Sequence, residues 1–200
     1  MSRRMPMRIV LTGSALTMLA VTPAFAQLHP QVRDGFTISV GGGAGSAGFS
    51  CDECSSKRKY APSAYLRIGG AARPNLVLAG EVNVWTKNET EDEIEATTTV
   101  GMLSAVAQWY PQTSSGFFLS AGAGAGGVMV DAKLPDGVQA SERTKAIGYQ
   151  LGTGYDVRVR KNFSITPYAT YYAVARGKLA DEAFKIGSNV VHFGVGLTWH

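Results

Sequence analysis

Apolar residues recur at every second position in eight separate segments of this chain. In the last one, VVHFGVGLTWH at residues 190–200, Val191, Phe193, Val195, Leu197 and Trp199 alternate with polar or small residues. A period of two is that of a β-strand with two unlike faces, and no segment shows the 3.6-residue period of an amphipathic helix. The sequence therefore predicts strands at residues 35–49, 63–72, 76–87, 97–110, 116–130, 143–159, 163–176 and 188–200.

Short and long connectors alternate between these segments. Residues 73–75, 111–115 and 160–162 form short connectors, and the longer ones are residues 50–62, 88–96, 131–142 and 177–187. Both kinds carry the Pro, Gly, Asn and Asp residues that favour turns. This alternation is typical of a meander in which each strand runs antiparallel to the next. We therefore predict an all-β fold, an eight-stranded antiparallel up-and-down transmembrane β-barrel, with short turns on one side of the membrane and longer loops on the other.

The direction of the apolar face follows from the composition of the other face. A soluble barrel needs Lys and Glu on its outer surface. Here the second face consists of Gly, Ser, Thr, Gln and Asn, with few charges of mixed sign. Small residues and balanced charges suit the filled interior of a narrow eight-stranded barrel, so the apolar face should contact lipid. Glycine-rich residues 41–48 and 122–127 lack the following helix of a phosphate-binding loop and are predicted to face the interior.

Charged and aromatic residues refine this prediction. An isolated buried charge is costly, so we expect an internal charge network centred on Arg67 and Glu81, with Asp156 and Arg158 as a second pair. Aromatic residues near the predicted strand ends fit the girdles of membrane barrels at the lipid headgroups. They are Trp85, Trp109, Tyr110, Phe117, Phe163, Tyr171 and Trp199.

The first 26 residues predict an export signal. Arg3, Arg4 and Arg8 precede an apolar run at residues 9–21, and the small-residue pattern Ala-Phe-Ala ends just before Gln27. We therefore expect a signal peptide at residues 1–26 and a barrel domain at residues 27–200. Three of the 19 basic residues leave with the signal, and the remaining 16 nearly balance 15 acidic residues. The basic character of the full chain is thus no reason to expect a nucleic-acid partner.

Three stretches resemble the outer-membrane β-barrel domain family of small OmpA-like, OmpX-like and OmpW-like proteins of Gram-negative bacteria. They are AVAQWYPQTSSGFFLSAGAGAG (105–126), RKNFSITPYATYY (160–172) and the tail. The resemblance implies an outer-membrane location, a monomer without cofactors, and outer-membrane lipids, lipopolysaccharide and the assembly machinery as partners. Phe193, Val195, Leu197 and Trp199 resemble the family's C-terminal assembly signal, although His200 follows the aromatic residue that usually ends it.

The resemblance leaves the activity open. We predict a non-catalytic barrel with a packed polar interior and a structural or surface-interaction role, similar to the porin family. The alternatives are a small-solute conduit and a lipid A-modifying enzyme. Lipid-modifying barrels carry a His and a Ser near the outer rim, but His192 is followed by Phe193 and Gly194. We therefore predict no enzyme and assign no catalytic, cofactor-binding or metal-binding residue.

Two predicted loops carry further candidates. Cys51 and Cys54 could form a disulfide in an oxidising compartment, remain free thiols, or serve a redox or metal function. The segment NETEDEIE at residues 88–95 holds five carboxylates. It is predicted to be a solvated loop, with binding of divalent cations or of a basic partner as the alternative.

Overall fold

The computed structural model describes residues 31–50, 57–91, 94–133, 139–178 and 185–200. The predicted signal peptide, Cys51 and Cys54 lie outside these residues. The strands are β1 (Phe36–Ser50), β2 (Lys59–Arg73), β3 (Leu76–Glu91), β4 (Ile94–Trp109), β5 (Phe117–Lys133), β6 (Gln139–Arg143), β7 (Ala146–Tyr155), β8 (Val157–Arg160), β9 (Phe163–Lys178) and β10 (Lys185–Trp199). Over these ranges, no helix is both long and apolar enough to span a membrane.

The strands form one closed antiparallel sheet. Strands β1 to β5 pair in sequence order, β5 also pairs with β6 and β7, and β9 pairs with β7 and β8. Strand β10 pairs with both β9 and β1. The short strands β6, β7 and β8 lie end to end between β5 and β9 and together fill the place of one strand in the barrel wall. This composite strand is interrupted at Thr144, Lys145 and Asp156. The sheet is thus an eight-stranded barrel, and the predicted fold is confirmed.

Alternate residues of each strand face opposite sides of the wall, as predicted. Phe193 and Val195 on β10 are 59% and 53% exposed, whereas His192, which precedes Phe193 on the same strand, is fully buried. Ile147 on β7 and Leu103 on β4 are likewise among the exposed apolar side chains. The outer surface is therefore an apolar belt, and the polar phase of each strand lines the lumen.

The two ends of the barrel differ. Residues 74–75, 110–116 and 161–162 connect strands at one end, where the described chain also begins and ends; we call this the short-turn end. At the opposite, long-hairpin end, the strands run further than predicted. β3 continues to Glu91, β4 begins at Ile94, and Glu89 pairs with Ala96. The prediction of a loop is therefore wrong for residues 88–91 and 94–96, because an acidic segment above the membrane can continue an antiparallel ladder.

Large lumen side chains lie against glycines of other strands. A Cβ atom added at Gly41 would overlap the ring of Tyr65, and one at Gly45 would overlap the ring of Trp85. Gly154 has the same relation to Phe118. We call these contacts the glycine sockets. They explain why the inward phase contains so much glycine: an eight-stranded interior is just wide enough for side chains to fill it.

Candidate functional site

A polar network fills the middle of the lumen, and Glu81 is its most connected member. The guanidinium of Arg67 donates to Glu81 through Nε and to Gln108 Oε1 through Nη1, at 2.8 Å. Asn83 Nδ2 and Gln150 Nε2 donate to the other carboxylate oxygen, Oε1, at 2.8 and 3.0 Å. Glu81 is 1% exposed. The predicted partners Arg67 and Glu81 thus lie in direct contact inside the barrel.

The network continues toward the short-turn end through Asp156. Gln108 Nε2 donates to the hydroxyl of Tyr110, which donates to Asp156 Oδ2, both at 2.7 Å. Thr166 donates to Asp156 Oδ1 at 2.7 Å and lies 3.0 Å from the hydroxyl of Thr198. Asp156 accepts these bonds at the break between β7 and β8, where its own backbone N–H bonds Gly116 instead of the ladder.

The last steps return the network to the first strands. The Thr198 hydroxyl lies 2.8 Å from that of Ser39, which lies 2.7 Å from the hydroxyl of Tyr65. The connected side chains come from seven of the eight strands of the barrel wall, counting β6 to β8 as one; β5 contributes none of them. Buried polar groups are costly unless they are hydrogen-bonded, so a network of this extent fixes the arrangement of the lumen.

Arg158 has different partners from those predicted. Its guanidinium donates to the backbone carbonyl oxygens of Lys161 at 2.9 Å and Val32 at 3.0 Å. The predicted pairing with Asp156 is therefore corrected, since each of the two side chains bonds other groups. Both side chains point inward at the short-turn end, where segment 31–33 also contacts both residues.

An apolar cluster occupies the lumen toward the long-hairpin end. Trp85 and Tyr172 are fully buried there, and the indole N–H of Trp85 donates to the carbonyl of Gly45 at 3.1 Å. The other buried members are Ala47, Val100, Met102, Val128 and Val190. The prediction that Trp85 and Tyr110 belong to the lipid-facing girdle is wrong, because both rings are buried on the inward phase. Trp109, Phe117 and Trp199 do face outward.

The segment before β1 closes the short-turn end, which the sequence did not predict. Arg33 is 5% exposed, and its guanidinium lies 3.4 Å from the centroid of the Tyr110 ring. It also donates to the carbonyl oxygens of Thr113 at 3.1 Å and Ser115 at 2.6 Å. Gln31 donates to the carbonyl of Asp156 at 3.0 Å. We call residues 31–33 the basal cap; a lone Arg before a strand gave no signal of this role.

Replacing Arg33 with alanine is expected to lower the free energy of unfolding by about 2 kcal/mol, the usual loss for buried hydrogen bonds to a charged group. The measurement is a urea titration of protein refolded in detergent micelles. Asp34→Ala is the matched control, because Asp34 is the exposed neighbour. Equal midpoints for the two variants would show that the basal cap does not stabilise the barrel.

The side chain of His192 lies inside the lumen and not at the rim of the barrel. Its Nε2 is 2.6 Å from the hydroxyl of Tyr168, and the two rings meet edge-on with centroids 4.9 Å apart. The Tyr168 ring meets that of Tyr65 in the same way, at 4.7 Å. A histidine enclosed by these rings can donate or accept a hydrogen bond, but it does not face lipid on the outside of the barrel.

His200, which follows β10, is enclosed at the short-turn end. Burial lowers the pKa of His200 to about 4, and the negative charge of Asp156 only partly opposes this effect. His200 Nε2 lies 3.9 Å from Asp156 Oδ2 and 3.3 Å from the hydroxyl of Ser164. At neutral pH the imidazole is therefore uncharged, and its contact with Asp156 is not an ion pair.

Ion pairs occupy the long-hairpin end. The carboxylate of Glu89 contacts the ammonium of Lys59 across β2 and β3, and Lys87 Nζ lies 3.7 Å from the other oxygen. The hydrogen bond from Lys59 lowers the pKa of Glu89. Glu89 is thus a partner in a local charge cluster rather than one of several unpaired carboxylates. The neighbouring Asp92 and Glu93 lie outside the described residues.

Solved structures with this architecture are known. Ail, the attachment invasion locus protein of Yersinia pestis, solved in complex with the heparin analogue sucrose octasulfate, is 17% identical; the match has a TM-score of 0.56 and covers 82% of this chain and 99% of that chain. Neisserial surface protein A is also 17% identical, with a TM-score of 0.55 and coverage of 82% and 96%. The chain has the fold of a small outer-membrane β-barrel. No protein-family model and no curated protein matches it.

The outer surface of the barrel is suited to a lipid bilayer, as its fold also indicates. Within a bilayer every backbone polar group must be bonded inside the protein, and the pairing of β1 with β10 closes the wall between the first and last strands. The exposed belt contains Leu66, Leu103, Ile147, Leu151 and Phe193, each more than 40% exposed. Such a surface is unfavourable in water and favourable in lipid. Fold and exterior together indicate the outer membrane as its location.

Proposed function

We propose that this protein is a non-enzymatic outer-membrane barrel, closed to solutes, which acts through its outer surface and its long-hairpin end. One observation carries the proposal: the lumen is filled by two layers in series. The polar network around Glu81 and Asp156 occupies the middle and the short-turn end, and the apolar cluster around Trp85 lies beyond it. Neither layer resembles the water-filled interior of a porin.

Electrical conductance tests this proposal against the solute conduit. Wild-type protein reconstituted in a planar bilayer is expected to give no stable step-like current, whereas a known porin in the same lipid conducts. Trp85→Ala removes part of one layer and leaves the network below it intact, so this variant should also stay closed. Reproducible wild-type steps that scale with salt concentration would overturn the proposal.

In the part of the chain that the structure describes, neither histidine lies on the lipid face, which argues against the lipid A-modifying alternative. His192 is fully buried and contacts Tyr168, while the residues around it on the outer phase are Val191 and Phe193. A catalytic group must come within hydrogen-bond reach of the atom on which it acts. Incubation of refolded protein with lipopolysaccharide, followed by mass spectrometry of lipid A, should show no loss of acyl chains or phosphate.

The outer surface supports the remaining partners. The apolar belt would contact outer-membrane lipids, and the outer leaflet of that membrane contains lipopolysaccharide. Phe193, Val195, Leu197 and Trp199 are all exposed on the outward phase of β10, where the assembly machinery could read them before the barrel closes. Because β1 pairs with β10, the wall closes without a strand from a second copy, and we expect a monomer.

A further inference from the structure

A depression interrupts the apolar belt near the long-hairpin end, across β4, β5 and the junction of β6 with β7. Two outward glycines on adjacent strands, Gly101 and Gly127, pair directly and form its floor. Thr99 and Met129 flank them on the same phase. The cavity measures about 190 Å³. We call it the rim groove.

The break between β6 and β7 places two cations at the groove. Thr144 turns its hydroxyl toward the backbone N–H of Val128, 2.9 Å away, so this hydroxyl replaces a carbonyl as acceptor. On either side of Thr144, the exposed residues Arg143 and Lys145 line the groove, and Arg143 pairs with Met129 in the β5–β6 register. Within the described ranges, neither side chain forms a hydrogen bond or an ion pair.

The groove lies at the depth where acyl chains meet headgroups. Phe117 marks the short-turn edge of the belt on β5, and Gly127 lies ten residues further along the same strand. With a rise of about 3.3 Å per residue and a tilt of about 40°, this separation corresponds to about 25 Å, the height of the apolar band of such barrels. Gly127 therefore lies at the upper boundary of the apolar band, and Arg143 lies just above it.

These features select the occupant. An apolar recess on the belt is in contact with lipid, so an acyl chain fits its floor. Arg143 above this floor and Lys145 beside it, neither of them hydrogen-bonded or ion-paired within the described ranges, complement a phosphate. The nearest outward carboxylates, Asp131 and Glu95, line a separate depression with Lys133 further from the membrane. The occupant must therefore combine acyl chains with phosphate at the outer-leaflet surface.

We propose that the rim groove binds the lipid A part of lipopolysaccharide, with an acyl chain over Gly101 and Gly127 and a phosphate between Arg143 and Lys145. This site rests on the proposed placement of the barrel in the outer membrane and adds a specific lipid to it. At this place on the described outer wall, two paired glycines leave a recess next to two cations. A bound lipid would fill that recess.

Retention of lipid A by refolded protein tests the proposal. Protein in phosphatidylcholine nanodiscs doped with phosphorylated lipid A is extracted into detergent and passed over a sizing column, and bound lipid A is quantified by mass spectrometry. Arg143→Gln and Lys145→Gln are each expected to lower retention about fivefold, the effect of one cation near an anionic surface. Lys57→Gln removes a cation of the same end, on the far side of the barrel, and should leave retention unchanged.

The second part of the experiment uses a substitution that fills the groove. A Cβ atom at Gly101 meets no atom within 4 Å, so Gly101→Leu places a side chain in open space and should abolish retention. Gly80 on β3 is an outward glycine with similar space, and Gly80→Leu is the matched control that should retain lipid A. Heat-modifiable gel mobility reports folding in lipid separately, so failure of the membrane placement and failure of the site can be distinguished.

Three outcomes would overturn the assignment. Dephosphorylated lipid A retained as well as the phosphorylated form would exclude the phosphate contact. Displacement by inorganic phosphate would point to a free-anion site instead of a lipid site. Equal retention by Gly101→Leu and Gly80→Leu would show that no acyl chain lies in the groove.

Discussion

Replacing Glu81 with alanine is expected to lower the free energy of unfolding by about 3–5 kcal/mol, the usual cost of removing one partner of a buried ion pair. The change leaves the buried guanidinium of Arg67 without its counter-ion. It also removes the acceptor of Asn83 and Gln150, which come from different parts of the wall. The measurement is the urea midpoint of protein refolded in phospholipid vesicles.

Glu95→Ala is the matched control, because Glu95 is an exposed glutamate on the neighbouring strand β4. Its midpoint should equal that of the wild type. The combined change Arg67→Met with Glu81→Leu removes both charges and should recover part of the loss. An unchanged midpoint for Glu81→Ala would mean that the network does not stabilise the lumen.

Replacing Val195 with arginine is expected to cost about 2–4 kcal/mol, the penalty for a cation on the lipid face near the bilayer midplane. Val195 is 53% exposed on β10, between Trp199 at the short-turn end and Asn189, which accepts a hydrogen bond from Arg58 at the opposite rim. Refolding into vesicles, followed by heat-modifiable mobility on gels, measures the folded fraction at each urea concentration.

Val159→Arg introduces the same side chain on the outward face of β8, beside the short-turn end, where Val159 is 43% exposed. Near the interface the penalty falls to about 0–1 kcal/mol, so this variant should refold nearly as well as the wild type. Similar losses for both variants would contradict the assignment of depth. Refolding of the wild type in plain buffer, without detergent or lipid, would contradict a lipid-facing belt altogether.

The face on which each strand residue lies could be predicted from sequence. Lipid on one side and a narrow lumen on the other restrict the side chains that each face accepts, so few residue types fit either face. Phe193, Val195 and Leu197 face outward as predicted, and so do Ile147 and Leu151 on β7. The strand ends were less predictable. Above the membrane both faces are solvated, so the acidic residues near Glu89 continue a strand without an alternating pattern that would reveal it.

The partners inside the lumen could not be predicted, because they come from strands that are distant in sequence. Asn83 donates to Gln150 across 67 positions, and only the curvature and stagger of the closed sheet bring them together. The direction of Trp85 was predictable in principle. Trp85 lies two residues from Asn83 and four from Glu81, so strand geometry points all three side chains to the same face. This geometry determines the direction of the ring more strongly than the preference of aromatic residues for the membrane interface.

The glycine sockets have a consequence for how sequences of this kind can diverge. Tyr65 occupies the space that a side chain at Gly41 would need, and Trp85 does the same at Gly45. A larger residue at either glycine is therefore acceptable only where the opposing ring has become smaller. In an alignment of homologous chains, these positions should change in pairs, and the compensating partner would lie on another strand rather than nearby in the sequence.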